Sequence, residues 1–338
     1  MFSSNSNNIE KEILSFSDSI SNICLSSSNK FIAGSSWDGN LKIYDLINNK
    51  INYKFEFFEP NTKLSLSIIS CSFLKNNDNY VFSTNLYGEF NISSLSKNIS
   101  KTFPLNLENK YIIDLFPFEE NSLIGLDDKK NYYIIDINKN DFIANSYNLK
   151  YQAMQSIVKG NFLIISNEEF LSIYDIRNGN KPYFEKQHNL KNSEITSMEF
   201  LIDDYCFILG CDQGRISVEF INQPENNYNF KCHRHTLNEQ KLIYPVLSIA
   251  YDNNRKYFYS SGGDGIIYGW DLFNKKKIFT SEKSSNEKHN LLLNQNNNSM
   301  FYVINNKEKY NNENNEKNEN KIFYVNNIDN YINFFKKK

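Results

Sequence analysis

The chain repeats one unit: a short strand rich in apolar and aromatic residues, a tight turn, and a returning strand. The unit is plainest at residues 31–46, where Trp37-Asp38-Gly39-Asn40 forms the turn. A two-residue hairpin turn requires positive φ, which glycine adopts without steric cost and aspartate tolerates. Further copies follow, with decay, at residues 80–92, 123–137, 162–176, 205–221 and 257–272. This regular spacing predicts a fold built from copies of one small antiparallel sheet.

Each copy is long enough for four strands, because room for two more lies between a returning strand and the next unit. The last copy ends in Tyr268-Gly269-Trp270-Asp271, and a Trp-Asp ending is typical of propeller blades. A blade takes about 40 to 45 residues. The 338 residues therefore predict one all-β domain, a seven-bladed WD40 β-propeller spanning residues 1–338.

The seventh blade must come from both ends of the chain. Its predicted parts are residues 291–293, 300–304 and 322–325, joined by an N-terminal strand near residues 13–16. Closing the ring in this way leaves no exposed sheet edge. Residues 305–321 are almost wholly Asn, Glu and Lys, so we interpret them as a disordered insertion in the last blade.

Composition limits the classes of partner. Lys+Arg total 37 and Asp+Glu total 39, so no global field draws the protein to nucleic acid or to an anionic membrane, and neither is an expected partner. The 5 cysteines, an odd count without a secretory leader, predict reduced thiols. No apolar run approaches the roughly 20 residues needed to cross a bilayer. We expect a soluble intracellular protein.

No catalytic or cofactor-binding pattern is visible. The 4 histidines form no triad motif, and Gly262-Gly263-Asp264-Gly265 lacks the Lys-Ser/Thr of a phosphate loop. Cys232-His233 has no second Cys/His pair at ligand spacing, so no zinc site is expected. We interpret Asp38, Asp128 and Asp264 as turn formers. The sequence predicts a protein that is not an enzyme and has no cofactor or metal.

An ordered set of motifs makes a family resemblance specific. The set comprises residues 35–45, 214–220, 230–234, 243–246 and 271–277. Together they resemble the family of the third budding-uninhibited-by-benzimidazole protein, a mitotic-checkpoint WD-repeat propeller, from about residue 13 to 279. The WD-repeat messenger-RNA export factor of the nuclear pore resembles the chain through the same Gly-Arg and Lys-Cys-His-Arg segments. A nuclear-pore mRNA export adaptor is therefore the alternative function.

The checkpoint resemblance implies a non-catalytic adaptor of the spindle assembly checkpoint, monomeric within hetero-complexes, in the nucleus, at the kinetochore and partly in the cytoplasm. It implies two partners: a checkpoint kinase or its paralogue, bound through a short acidic motif, and a kinetochore scaffold with phosphorylated Met-Glu-Leu-Thr repeats. By position, Arg215 and Arg234 match the family's basic residues for phosphothreonine and acidic side chains. Trp37 matches a face-lining aromatic residue, and Lys231 is a weaker neighbour.

Structural alternatives stay open for these residues. Arg215 could pair with the nearby acid Asp212, and Trp37 could be a packed turn aromatic. A generic adaptor role in ubiquitin ligation is also open, because propeller architecture alone does not fix function. The second, third and fourth repeats lack the Trp-Asp ending. Their part of the shared face is therefore expected to contact partners differently.

Overall fold

The computed structural model describes residues 9–59, 62–105, 107, 110–306 and 320–336. Within these ranges it contains seven four-stranded antiparallel sheets and one two-stranded hairpin. The inner strands of neighbouring sheets contact one another around a closed ring. The predicted all-β, seven-bladed β-propeller is confirmed.

Strand β1 (Glu10–Phe16) comes first in the chain and belongs to the last blade. Blades one to three follow in chain order. Blade one contains β2 (Ile20–Leu25), β3 (Phe31–Ser36), β4 (Asn40–Asp45) and β5 (Lys50–Glu56). Blade two contains β6 (Ile68–Leu74), β7 (Asn77–Asn85), β8 (Glu89–Ser94) and β9 (Ile99–Pro104). Blade three contains β10 (Ile112–Pro117), β11 (Ser122–Asp127), β12 (Asn131–Asp136) and β13 (Ile143–Asn148).

Blades four to six continue the order, with a short 3-10 helix, Pro224–Asn226, in blade five. Blade four contains β14 (Gln155–Lys159), β15 (Phe162–Ser166), β16 (Phe170–Asp175) and β17 (Phe184–Gln187). Blade five contains β18 (Ile195–Leu201), β19 (Cys206–Cys211), β20 (Arg215–Phe220) and β21 (Tyr228–Lys231). A hairpin of β22 (Arg234–Leu237) and β23 (Gln240–Ile243) follows. Blade six contains β24 (Val246–Asp252), β25 (Tyr257–Gly262), β26 (Ile267–Asp271) and β27 (Lys276–Thr280).

The last blade joins the two ends of the chain, as predicted. Its sheet order is β1 next to β30 (Asn320–Val325), then β29 (Ser299–Ile304), then β28 (Lys288–Asn294). Strand β1 pairs with β30 in a register that sets Phe16 opposite Asn320. This pairing ties the N-terminal strand into the last blade with backbone hydrogen bonds, so that the two ends of the chain are held in one sheet. Of the predicted insertion 305–321, residues 307–319 lie outside the described residues, and residues 320 and 321 begin β30.

Asparagine and aspartate make many of the turns. The Asp45 Oδ1 accepts backbone N–H bonds from Ile47 and Asn48, both at 2.9 Å. Asn29 and Asn49 adopt positive φ at turns, a conformation that asparagine tolerates because its side chain bonds the local backbone. The asparagine-rich composition therefore has a structural use in this fold.

The core lies between neighbouring blades. Leu41 and Ile43 of blade one pack with Ile68 and Phe73 of blade two, and all four are buried. Comparable apolar layers separate the other blades. Burying both faces of each sheet explains why the strands combine apolar and aromatic residues with few charges.

Two elements were not predicted from the sequence: the β22–β23 hairpin and a C-terminal helix, α1 (Ile328–Lys336). The helix packs against blade six, where the rings of Tyr331 and Phe335 lie 5.3 and 5.8 Å from that of Phe279. Arg255 holds the helix by donating to Asp329 at 2.8 and 3.1 Å. No helix among the described residues is long and apolar enough to span a bilayer.

Candidate functional site

The topology gives the propeller one face that we call the connector face. In each blade, the turn between the second and third strands and the connector to the next blade's first strand lie at the same end of the sheet, because successive strands are antiparallel. The turns between first and second strands and between third and fourth strands lie at the opposite face. Trp37, Arg215, Lys231 and Arg234 all belong to the connector face or its margin.

Three of the predicted site residues form one group, the cationic cluster of Arg215, Lys231 and Arg234. Arg215 begins β20 and lies directly opposite Lys231, the last residue of β21. Arg234 begins the hairpin three residues later, and its guanidinium reaches back to the turn before β20. Antiparallel pairing thus joins residues that are separated along the chain.

Arg234 is held in place by its own backbone environment. Its Nε donates to the carbonyl of Gly214 at 3.2 Å, and its Nη2 donates to that of Gln213 at 2.6 Å. The side chain is half-buried, and no carboxylate of a described residue lies within ion-pair distance. Because the guanidinium is already ordered, less side-chain entropy remains to be lost when it binds an anion.

Arg215 and Lys231 are exposed and make no ion pair with any residue in the described ranges. The alternative pairing of Arg215 with Asp212 is not formed among the described residues; the Asp212 Oδ1 accepts the backbone N–H of Glu194 at 3.1 Å. The cluster therefore presents three positive charges that no described acidic side chain neutralises. Such a group can attract a phosphate or a carboxylate.

Gly214 allows the connector that carries Arg234 to lie close to the turn that precedes Arg215. Its φ of +56° lies in the left-handed region. A Cβ at this position would come within 2.7 Å of the Cys232 carbonyl oxygen and 2.9 Å of the Tyr244 carbonyl oxygen. Only glycine allows the connector backbone to approach the turn so closely.

A buried polar network anchors the connector that carries Arg234. The His233 Nδ1 lies 2.8 Å from the Asp264 Oδ1, and its Nε2 lies 3.0 Å from the Ser260 Oγ. The Trp270 Nε1 donates to the same Ser260 Oγ at 2.9 Å. His235 adds a contact of 2.8 Å to the Asp264 Oδ2. The network joins the connector to the turn and two strands of blade six.

Sequence reasoning took Asp264 as a turn former and did not find this network. Asp264 does accept the backbone N–H of Ile266 at 3.2 Å, but its carboxylate mainly serves the two histidines. Burial would raise the pKa of Asp264, yet the hydrogen bonds and charge of His233 hold that pKa below its ordinary value. The sequence did contain a signal for this network. A histidine, His233, stands in the connector, and Asp264, Ser260 and Trp270 follow in the repeat that keeps its Trp-Asp ending.

The network has the residue types of a hydrolase triad but not its accessibility. Ser260 is fully buried, and its oxygen already accepts the Trp270 hydrogen bond. The neighbouring thiol of Cys232 is buried too, and burial raises its pKa. Within the described ranges, no group of three Cys, His, Asp or Glu side chains could hold a metal ion. We conclude that the buried network orders the connector between blades five and six.

Trp37 lies apart from the cationic cluster. It is in the turn between β3 and β4 of blade one, and blades six and seven separate it from blade five around the ring. Its backbone N–H donates to the Ser19 carbonyl at 3.0 Å, and its carbonyl accepts from the Ser67 Oγ at 2.9 Å. The residue is 42% exposed, so part of the aromatic surface faces solvent. The structure does not bring Trp37 together with the other three residues.

The family model of the WD domain, G-beta repeat, matches residues 10–45 and 230–271. The first match holds the turn with Trp37, and the second runs through His233, Asp264 and Trp270. The chain is a WD40-repeat β-propeller. The second matched segment is therefore the one in which the buried network links two blades.

Similar proteins extend the match to most of the propeller. The spindle assembly checkpoint protein bub3 of Schizosaccharomyces pombe is 25% identical over 290 residues, which cover 80% of this chain and 83% of that protein. The mitotic checkpoint protein BUB3.1 of Arabidopsis thaliana is 24% identical, over 79% of this chain and 78% of that protein. The mRNA export factor GLE2 of Chaetomium thermophilum is 26% identical over 36% of this chain and 35% of that protein. The resemblance to checkpoint WD-repeat propellers is confirmed, with the export factors as shorter matches.

Proposed function

We propose that this propeller is a non-catalytic adaptor of the spindle assembly checkpoint whose connector face binds short peptides. One ligand is an acidic motif of a checkpoint kinase or its paralogue, and the other is a phosphorylated repeat of a kinetochore scaffold. The supporting observation is the cationic cluster, three basic side chains without an ion pair among the described residues. The similarity to spindle checkpoint proteins over about four fifths of the chain supports the cellular role.

Charge explains why phosphorylation would control the binding. A phosphothreonine carries about −1.5 to −2 charge and three acceptor oxygens. A guanidinium offers a planar fork of donors that matches phosphate geometry, and an ammonium adds a point charge. Arg234 is preordered by two carbonyl oxygens, while Arg215 and Lys231 are exposed beside it. An unphosphorylated threonine carries no charge and would gain little binding free energy from the cationic cluster.

The adaptor acts as a single propeller within hetero-complexes, in the nucleus and at kinetochores and partly in the cytoplasm. The chain completes its own last blade, because β1 pairs with β30, so no second copy is needed to complete a sheet. The connector face and the outer strands of the blades stay available to partners.

The test is a titration of full-length protein with a fluorescein-labelled phosphothreonine peptide, read by fluorescence anisotropy. The double variant Arg215→Ala/Arg234→Ala should weaken binding at least about tenfold, since hydrogen bonds to charged groups contribute about 1.5 to 3 kcal/mol each. A control variant, Arg177→Ala/Lys139→Ala, removes two charges from turns of the opposite face and should bind normally. Unchanged affinity in the Arg215/Arg234 variant, with an unchanged melting temperature, would refute the site.

The alternative function, a nuclear-pore mRNA export adaptor, has its own support in the similarity to the export factor. The two roles differ in where the protein concentrates. A tagged full-length chain should gather at kinetochores in mitotic cells if it is a checkpoint adaptor, and at the nuclear envelope of interphase cells if it is an export adaptor.

A further inference from the structure

Two cysteines on the inner strands of neighbouring blades lie in contact. Cys24 is in β2, the first strand of blade one, and Cys71 is in β6, the first strand of blade two. Their Sγ atoms are 3.7 Å apart, and both residues are free thiols. The fold thus places two thiols that are far apart along the chain where they can react with each other.

Hydrogen bonds on either side hold this contact in place. The Asn22 Nδ2 donates to the Ser70 Oγ at 3.2 Å, and the Ser27 Oγ donates to the Leu74 carbonyl at 3.4 Å. In both segments the cysteine lies between the two bonded residues. The two stretches of chain are therefore held side by side over the length that carries the thiols.

The surroundings of the thiols suit a disulfide. Cys71 is buried and Cys24 is half-buried, and both pack in the apolar layer between blades one and two, beside Ala33 and Phe73. A disulfide carries no charge, so it can replace two thiols in an apolar layer. The sulfur atoms must move from 3.7 Å to about 2 Å, and two unbranched side chains can share that movement by rotation about χ1.

We propose that Cys24 and Cys71 are a redox-sensitive modification site, at which a peroxide converts the two thiols into a disulfide between blades one and two. The peroxide oxidises the sulfur of Cys24, the more exposed residue, to a sulfenic acid, and one water leaves. The Cys71 sulfur then attacks the sulfenic sulfur, the S–S bond forms, and a second water leaves. The two sulfurs lose two electrons, the peroxide gains them, and a thiol reductant reverses the reaction.

The disulfide should form slowly and stabilise the ring. The hydrogen bond with Cys71 and burial raise the pKa of the Cys24 thiol, so little of the reactive thiolate is present at neutral pH. Once formed, the bond closes a loop from residue 24 to residue 71, which restricts the unfolded chain. Oxidation should therefore raise the urea midpoint. The site uses none of the residues of the proposed function and does not depend on it.

The experiment treats reduced full-length protein with hydrogen peroxide, blocks the remaining thiols with iodoacetamide and digests the protein with trypsin. Tryptic cleavage places Cys24 in residues 12–30 and Cys71 in residues 64–75. Mass spectrometry should find these two peptides joined, about 2 Da lighter than their sum, and dithiothreitol should separate them. The contact in the folded protein should make this pair at least about tenfold more abundant than any other pairing, a preference that should vanish in concentrated urea.

A variant and a matched control connect the bond to stability. Peroxide should raise the urea midpoint of the original protein and leave that of Cys24→Ala unchanged. The control Cys206→Ala removes a buried thiol that donates to the Phe207 carbonyl at 3.5 Å, and peroxide should raise its midpoint as in the original protein. If Cys24→Ala does not fold, the peptide map of the unaltered protein decides the question. Absence of the joined peptides, joining only between two copies of the chain, or equal joining in folded and unfolded protein would overturn the assignment.

Discussion

Removal of the His233 ring is the most informative perturbation of this propeller, because it separates the support of the site from the site itself. His233 is 1% exposed and makes two contacts, to the Asp264 Oδ1 at 2.8 Å and to the Ser260 Oγ at 3.0 Å. His233→Ala leaves the Asp264 carboxylate, 3% exposed, without its most buried partner. Leaving a buried charge without its partner costs about 3 to 5 kcal/mol.

The remaining contacts of Asp264 set the expected value within that range. His235 still lies 2.8 Å from the Asp264 Oδ2, and the Ile266 N–H still donates to the Oδ1 at 3.2 Å. We therefore expect His233→Ala to lower the free energy of unfolding by about 3 kcal/mol. His235→Ala removes one contact from a side chain that is 30% exposed and should cost about 1 kcal/mol.

Urea denaturation followed by tryptophan fluorescence and by circular dichroism measures both values. Binding of the phosphothreonine peptide should also weaken in His233→Ala, because the ordered connector holds Arg234 on the Gln213 and Gly214 carbonyl oxygens. A loss below about 1 kcal/mol for His233→Ala, or a larger loss for His235→Ala, would contradict the role of the buried network.

Two further predictions concern Trp37 and pH. Trp37→Ala should weaken binding of the acidic kinase motif while leaving the affinity for the phosphothreonine peptide within about twofold. The reason is that blades six and seven separate Trp37 from the cationic cluster. Comparable losses of affinity for both peptides would refute separate subsites. The Asp264 pKa lies below its ordinary value in the folded protein, so its stabilising contribution is present above that ordinary value and is lost as pH falls through the folded pKa. Urea midpoints should therefore decline in the acid range below about pH 4, and Asp264→Asn should flatten that decline; an equally steep decline in the variant would exclude Asp264 as its source.

The repeated hairpins could be predicted from the sequence because the residues that specify each turn are close together along the chain. The turn at Asp38-Gly39 places Gly39 at a φ of +75°, and the Asp38 Oδ1 accepts the Asn40 N–H at 3.0 Å. Both features depend on residues within one turn, so residue type alone predicts them. The basic residues Arg215, Lys231 and Arg234 were singled out by the family resemblance rather than by the hairpin pattern, and of the three only Arg215 lies directly after a predicted turn.

The elements that were missed depend on distant partners. Helix α1 has a buried Tyr331 because Phe279 of blade six lies beside it. The β22–β23 hairpin occupies a stretch where the repeat pattern predicted only a connector. A cleft on the connector face gathers side chains from four blades, and no spacing along the chain relates Glu194 to Glu168 in that way.

The amino-acid sequence by itself determined the strands and turns of the repeated hairpins, since φ preferences and apolar alternation act over a few residues, and the chain length with the repeat spacing gave the number of blades. It also determined which side chains carry the charges. Only the tertiary structure decided that the Arg215 side chain has no acidic partner among the residues the structure describes, that Trp37 lies apart, and that His233 and Asp264 are buried together. The physical reason is that burial and pairing depend on which groups meet when seven sheets close into a ring, and those groups are far apart along the chain.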